Sequence, residues 1–166
     1  MKAYWITHMT AAVVMSAAIT FAHAAEQPVA TQTATAELRQ FFAGQDAANH
    51  NGASTEELVH RFYAGDATVI GEGAAGPTRG LAGAIKALTE WNDYLGPGGN
   101  KGCNFEIKEP VVASGQTASV FAELKCKANP PKLAKDETIR QLFVLKKTAN
   151  GWRVVQEMWQ SGGFPD

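Results

Sequence analysis

Apolar positions along this chain repeat in two ways, and the change falls near residue 100. Before it the spacing is helical. Leu38, Phe41, Phe42 and Gln45 share one face, and Ala47 and Ala48 continue a good helix former. This predicts a helix from about Ala36 that Asn51-Gly52 ends. Ser54 with Glu57 three residues on reads as a capping box. The helix it opens carries Leu58, Val59, Phe62 and Tyr63 and stops near Gly65, before a short strand over 67–70. Residues 71–80 form a glycine-rich loop. A third helix is predicted over 81–94, with Leu81, Ile85, Leu88 and Trp91 on one face, and Gly96-Pro97-Gly98-Gly99-Asn100 breaks it.

After residue 100 the period is two, the signature of strands. A turn at Ser114-Gly115 sets Cys103 opposite Cys126, Phe105 opposite Leu124, Ile107 opposite Ala122, Glu109 opposite Val120 and Val111 opposite Ala118. One face of this hairpin is then apolar apart from Glu109, and a slip of one residue would turn that face to water. A second hairpin is predicted over 138–147 and 152–161, with Asn150-Gly151 at its turn. Pairing Ala149 with Trp152 sets Phe143 beside Met158, Leu142 beside Trp159 and Val144 beside Glu157. Neither face of that hairpin is purely apolar. Helices first and antiparallel strands after predict an α+β fold with three N-terminal helices packed in a bent antiparallel sheet.

The N-terminus predicts a compartment for this domain. Met1-Lys2 precedes an apolar run ending at Ala22-His23-Ala24, which fits a signal peptide over 1–24 cut after Ala24. The run is too short and too interrupted to span a bilayer core of ~30 Å. Residues 25–35, rich in Ala, Thr and Gln, read as a flexible leader, and 36–166 as the folded domain. A periplasmic or secreted location is oxidising, so the two cysteines read as a structural disulfide. Two cysteines make a poor metal site, and there is no Cys-x-x-Cys.

Charge narrows the partners. The chain has 15 basic and 16 acidic residues, net −1, and loses Lys2 with the signal. This balance excludes the basic surface of a nucleic-acid binder and gives no pull toward anionic lipid, so no membrane partner is expected after cleavage. The loop over 71–80 lacks the P-loop lysine and the dinucleotide fingerprint. His50 and His60 lie on different helices, and no metal or cofactor is expected.

The run His60-Arg61-Phe62-Tyr63-Ala64-Gly65-Asp66-Ala67-Thr68-Val69 resembles a junction of the nuclear transport factor two-like superfamily, which includes SnoaL-like polyketide cyclases and ketosteroid isomerases. Arg79-Gly80 before a helix with Ile85, and Gly151-Trp152-Arg153-Val154-Val155 through Trp159 and Ser161, are similar too. The resemblance implies a cone: a strongly bent sheet around three helices, open to an apolar pocket, often dimeric through the sheet. It implies a small apolar or amphipathic ligand. Tyr63, Arg79, Trp91, Tyr94, Gln141, Phe143, Gln156, Met158 and Trp159 are the candidate ligand-binding residues.

The isomerase reaction needs a carboxylate base, a tyrosine and a protonated aspartate. At the corresponding places this chain has Gly71 with Glu72 one residue on, Phe41-Phe42, and Leu142-Phe143. That set is incomplete. On the last strand Gln156 and Met158 cannot serve as bases, but Glu157 can if apolar neighbours desolvate it. Glu157 and Glu72 are therefore the candidate catalytic residues for cofactor-free proton transfer. The competing reading of Glu157 is an ordinary surface or interface carboxylate. The competing reading of the whole is a non-catalytic dimeric interaction module with a residual pocket.

Overall fold

A computed structural model describes residues 23–165. Helix α1 (His23–His50) is followed by α2 (Thr55–Phe62), β1 (Tyr63–Ile70), β2 (Thr78–Arg79) and α3 (Gly80–Leu95). A short 3-10 turn, Gly99–Gly102, leads to β3 (Cys103–Ser114), β4 (Thr117–Cys126), β5 (Glu137–Thr148) and β6 (Gly151–Ser161). The strands form one six-stranded sheet in the order β2-β1-β6-β5-β4-β3. All neighbours are antiparallel except β1 and β6, which run parallel. The α+β architecture is the one expected. The signal peptide falls on residues outside those described, apart from His23 and Ala24. Helix α1 begins at His23, ahead of Ala36, so the stretch read as a flexible leader is helical here.

Each helix buries a narrow stripe. Leu38 and Phe42 of α1, Leu58, Val59 and Phe62 of α2, and Ala84 and Ala87 of α3 pack against Val120, Phe143, Leu145 and Val154 of the sheet. The capping box opens α2: Ser54 Oγ accepts from Glu57 N–H and the Glu57 carboxylate accepts from Ser54 N–H. Polar contacts fix how α1 lies on the sheet. Asp46 accepts from the Phe105 N–H on edge strand β3 at 3.1 Å. Glu37 accepts from Lys147 Nζ at 2.7 Å and Trp152 Nε1 at 2.9 Å.

Both hairpin registers depart from expectation, with different consequences. The first holds from Cys103–Cys126 to Lys108–Phe121, and the disulfide is formed. It then shifts, so that Val112 pairs with Ser119 and Ser114 with Thr117. The turn is Gly115-Gln116, not Ser114-Gly115, and Gly115 takes a φ of +58°. Pro110 stands inside the shifted stretch and has no N–H to give the ladder. The shift adds two residues to β3, an even number. The same face therefore stays inside, with Val111 buried and Val112 exposed.

The second hairpin closes with Thr148 opposite Gly151, not Ala149 opposite Trp152. A positive φ at Gly151, +89°, makes room for that closure. Leu145 pairs with Val154, then Val144 pairs with Gln156, which leaves Val155 as an extra residue in β6. One extra residue reverses the alternation. Trp152 and Val154 point inward before it, and Glu157 points inward after it. Phe143 therefore sits beside Glu157, and Met158 beside Leu142, in place of the expected Phe143–Met158 and Val144–Glu157 pairs.

Candidate functional site

Glu157 lies at the centre of the concave face. It is 4% exposed, so the surface-carboxylate reading does not hold. Strand β1 runs parallel beside it and pairs Val69 with Glu157. The start of the same strand brings Tyr63, whose hydroxyl donates to Glu157 Oε2 at 2.5 Å. From the other side β5 brings Gln141, whose Nε2 donates to Glu157 Oε1 at 3.2 Å. No Lys, Arg or His contributes to this cluster. Burial pushes the Glu157 carboxyl up to about 7, against the Tyr63 hydrogen bond, which favours the charged form. Burial and the neighbouring carboxylate hold the Tyr63 hydroxyl well above its ordinary range, so it stays a donor.

This triad borders a small cavity of about 60 Å³. Leu58, Leu88, Trp91, Phe105 and Leu124 form its apolar walls, and Gln45, Asn49, Asn92 and Asn100 its further polar lining. Two buried acceptors there have no partner: Gln45 Oε1 and Gln141 Oε1. A buried amide oxygen without a donor costs on the order of 1–3 kcal/mol.

The sequence candidates separate into groups. Tyr63, Trp91, Gln141 and Glu157 meet at the inner cavity. Phe143 lies beneath it in the core, edge-on to Phe42 and Phe105. Trp91 stacks on Tyr94 and tilts against Trp159, and all three line an outer cleft of about 410 Å³ beside α3. Gly71 makes that arrangement possible, because a Cβ there would lie 2.0 Å from the Trp159 ring.

Glu72 belongs to the cleft, not the cavity. It accepts from the Ser161 N–H at 2.7 Å, a bond that holds its carboxyl below the usual range. Arg79 is exposed on edge strand β2, and Gln156 and Met158 face outward. The residues that sequence reasoning passed over are Gln45, Asn49, Asn92 and Asn100. Gln45 did leave a signal: a polar residue in the apolar stripe of α1.

No protein-family model matches this sequence, and no curated protein matches it. Solved structures share the fold. An NTF2-like protein of unknown function from Pseudomonas putida is 18% identical with a TM-score of 0.60, over 80% of this chain and 89% of that one. A ketosteroid isomerase-like protein from Erwinia carotovora atroseptica is 17% identical with a TM-score of 0.58, over 78% of this chain and 96% of that one. The CaMKII hub of S. rosetta is 18% identical with a TM-score of 0.57, over 76% of this chain and 95% of that one. The fold is therefore NTF2-like. Among the described residues, no helix is long and apolar enough to cross a membrane, and no group of acidic, His and Cys side chains is arranged to hold a metal ion.

Proposed function

We propose that the cone interior binds a small amphipathic molecule and that Glu157 exchanges a proton with it. The carrying observation is the buried Glu157 carboxyl, held by Tyr63 and Gln141 at the edge of a cavity with apolar walls. A carboxyl poised near neutrality is suited to general acid–base work. Glu72 is placed for holding the end of β6, so the proposal rests on Glu157 alone. The test is a fragment screen followed by side-chain NMR. Binders should shift the Glu157 carboxyl resonance, and bound carbon acids should exchange hydrogen for deuterium in wild type but not in Glu157→Gln. If every binder perturbs only exposed residues, the proposal fails.

A second reading concerns the convex face. Ile70, Met158, Leu142 and Phe121 stand side by side across four strands. Met158 is 54% exposed and Phe121 47%. We propose that two copies of the chain meet on this row. Export to the periplasm or beyond, with removal of residues 1–24, completes the proposal. N-terminal sequencing of the protein recovered from cell fractions tests it, and an intact Met1 would refute it.

A further inference from the structure

The outer cleft beside α3 is a different space from the cavity at Glu157. Of the residues that line the two, only Trp91 is shared, so its indole is the wall between them. The cleft measures about 410 Å³. Small-molecule sites commonly occupy about 300–1,000 Å³. Three aromatic side chains shape it. Trp91 stacks on Tyr94 with ring centres 5.4 Å apart, and Trp159 leans on Trp91 at 5.6 Å with 54° between the planes. These contacts leave the rings partly open: Tyr94 is 49% exposed, and Trp91 and Trp159 are half-buried. Two of the rings have fixed seats. Trp159 rests on the bare backbone of Gly71, and Tyr94 donates its hydroxyl to Glu137 Oε2 at 2.9 Å. Glu72 accepts from the Ser161 N–H at 2.7 Å and ties the loop after β1 to the end of β6. Rings held in place lose little entropy when another ring comes against them, and ring pairs attract beyond the area they bury.

Charge narrows the ligand. Glu72 and Glu90 are the only charged side chains of the lining. Lys86 meets Glu90 only as an exposed pair at 3.9 Å, and Arg140 donates to Gln160. An exposed pair of that kind is worth little, so the cleft keeps a negative character. Donors are present too: the indole N–H groups of Trp91 and Trp159 and the hydroxyls of Thr78 and Ser161. Hydrogen-bond count therefore selects nothing here, and the flat rings and the carboxylates do. An anion would face two carboxylates in a lining without a cation. We propose that the outer cleft is a small-molecule site of its own, taking a planar aromatic molecule without negative charge, its ring laid against Trp91, Tyr94 and Trp159. This goes beyond the cone reading and does not depend on Glu157.

The probes are 2-naphthol, 2-decalol and 2-naphthoate, titrated into the full chain at neutral pH. The second keeps the fused rings but not their planarity. The third keeps planarity and adds a negative charge. Indole N–H signals in NMR report place: Trp159 lines the cleft alone, Trp91 lines both spaces, and Trp152, bonded to Glu37, lines neither. 2-Naphthol should shift Trp91 and Trp159 and leave Trp152 where it was. It should bind at least about tenfold more tightly than either of the others, through ring stacking against 2-decalol and charge repulsion against 2-naphthoate. Tyr94→Leu should weaken 2-naphthol about fivefold and 2-decalol less than about twofold, and Tyr94→Phe, which keeps the ring, should bind as wild type does. Tyr94 is half exposed, so both variants should fold, and their melting temperatures check this.

Equal affinity for 2-decalol or 2-naphthoate would overturn the ligand class. Shifts at Trp91 and the Glu157 carboxyl without Trp159 would put the ring in the inner cavity, which overturns the cleft site and favours the cone reading. No shift at Trp91 or Trp159 with any probe would overturn the cleft site and leave the cone reading to its own test.

Discussion

The Tyr63 hydroxyl stands 2.5 Å from Glu157 Oε2, although 94 positions of chain separate the two residues. Tyr63 opens β1 and Glu157 lies near the end of β6, and these are the two strands that run parallel. Both side chains are buried, and no cation accompanies them. The pair therefore couples folding, protonation and binding.

Stability should fall as pH rises through the acid range. Glu157 titrates at about 7 in the fold, against 4.5 when free. Below the unfolded value both states are protonated, and there is no penalty. Between the two values the unfolded chain ionises first, so the folded state loses stability up to about pH 7, by about 3 kcal/mol from this group. Glu157→Gln should flatten that slope and raise stability above neutrality, because Gln141 can turn its unpaired oxygen toward the new amide. Denaturant melts of both proteins across pH check this. Parallel slopes would show that Glu157 does not titrate in this range.

Tyr63→Phe should raise the Glu157 value further, because the hydroxyl is what favours the carboxylate. It should also cost about 1–2 kcal/mol of stability at neutral pH. Carbon-detected NMR titration of the Glu157 carboxyl reads the first effect directly, and an unchanged midpoint would contradict the assigned hydrogen bond.

Gly71→Ala should destabilise by about 1–3 kcal/mol, because its Cβ would meet the Trp159 ring at 2.0 Å. Tryptophan fluorescence should change, as Trp159 is displaced from Trp91. Melting temperature and emission spectrum test both, and a silent substitution would mean that the ring moves freely.

Cys103 and Cys126 close a loop with a separation of 23 residues. Replacing both with Ala should cost about 3 kcal/mol by the chain-entropy account. Thiol titration of the non-reduced protein should find no free thiol, and the double variant should unfold at lower denaturant.

Met158→Lys and Phe121→Lys each place a charge in the convex apolar row. Light scattering should show a dimer for wild type and a monomer for either variant. A wild-type monomer at high concentration would end the pairing proposal.

Much of this was legible in the chain. Helical spacing in Leu38, Phe41 and Phe42, the Ser54–Glu57 box and the glycines after Tyr94 marked the helices well. The cysteine pair and the alternation of Phe105 and Ile107 set the first register, because only one register buries that face. The extra β3 residues around Pro110 moved the turn but not the faces, as an even insertion preserves alternation.

The site was decided elsewhere. Glu157 was a candidate from residue type, but its direction depends on Val155, the extra residue between the two registers of β6 against β5. Period-two reasoning carries no signal for a one-residue bulge, whose position follows from how β6 fits β5 and β1 together. Its partners come from two other strands, Tyr63 from β1 and Gln141 from β5, and Gln45 of α1 lines the same cavity. Local pattern thus determined which elements form and which face of the first hairpin is buried, since those follow from spacing and burial along one segment. Tertiary structure alone decided that a carboxylate, a hydroxyl and two amides share one cavity, because that depends on strand register and helix placement across the whole chain.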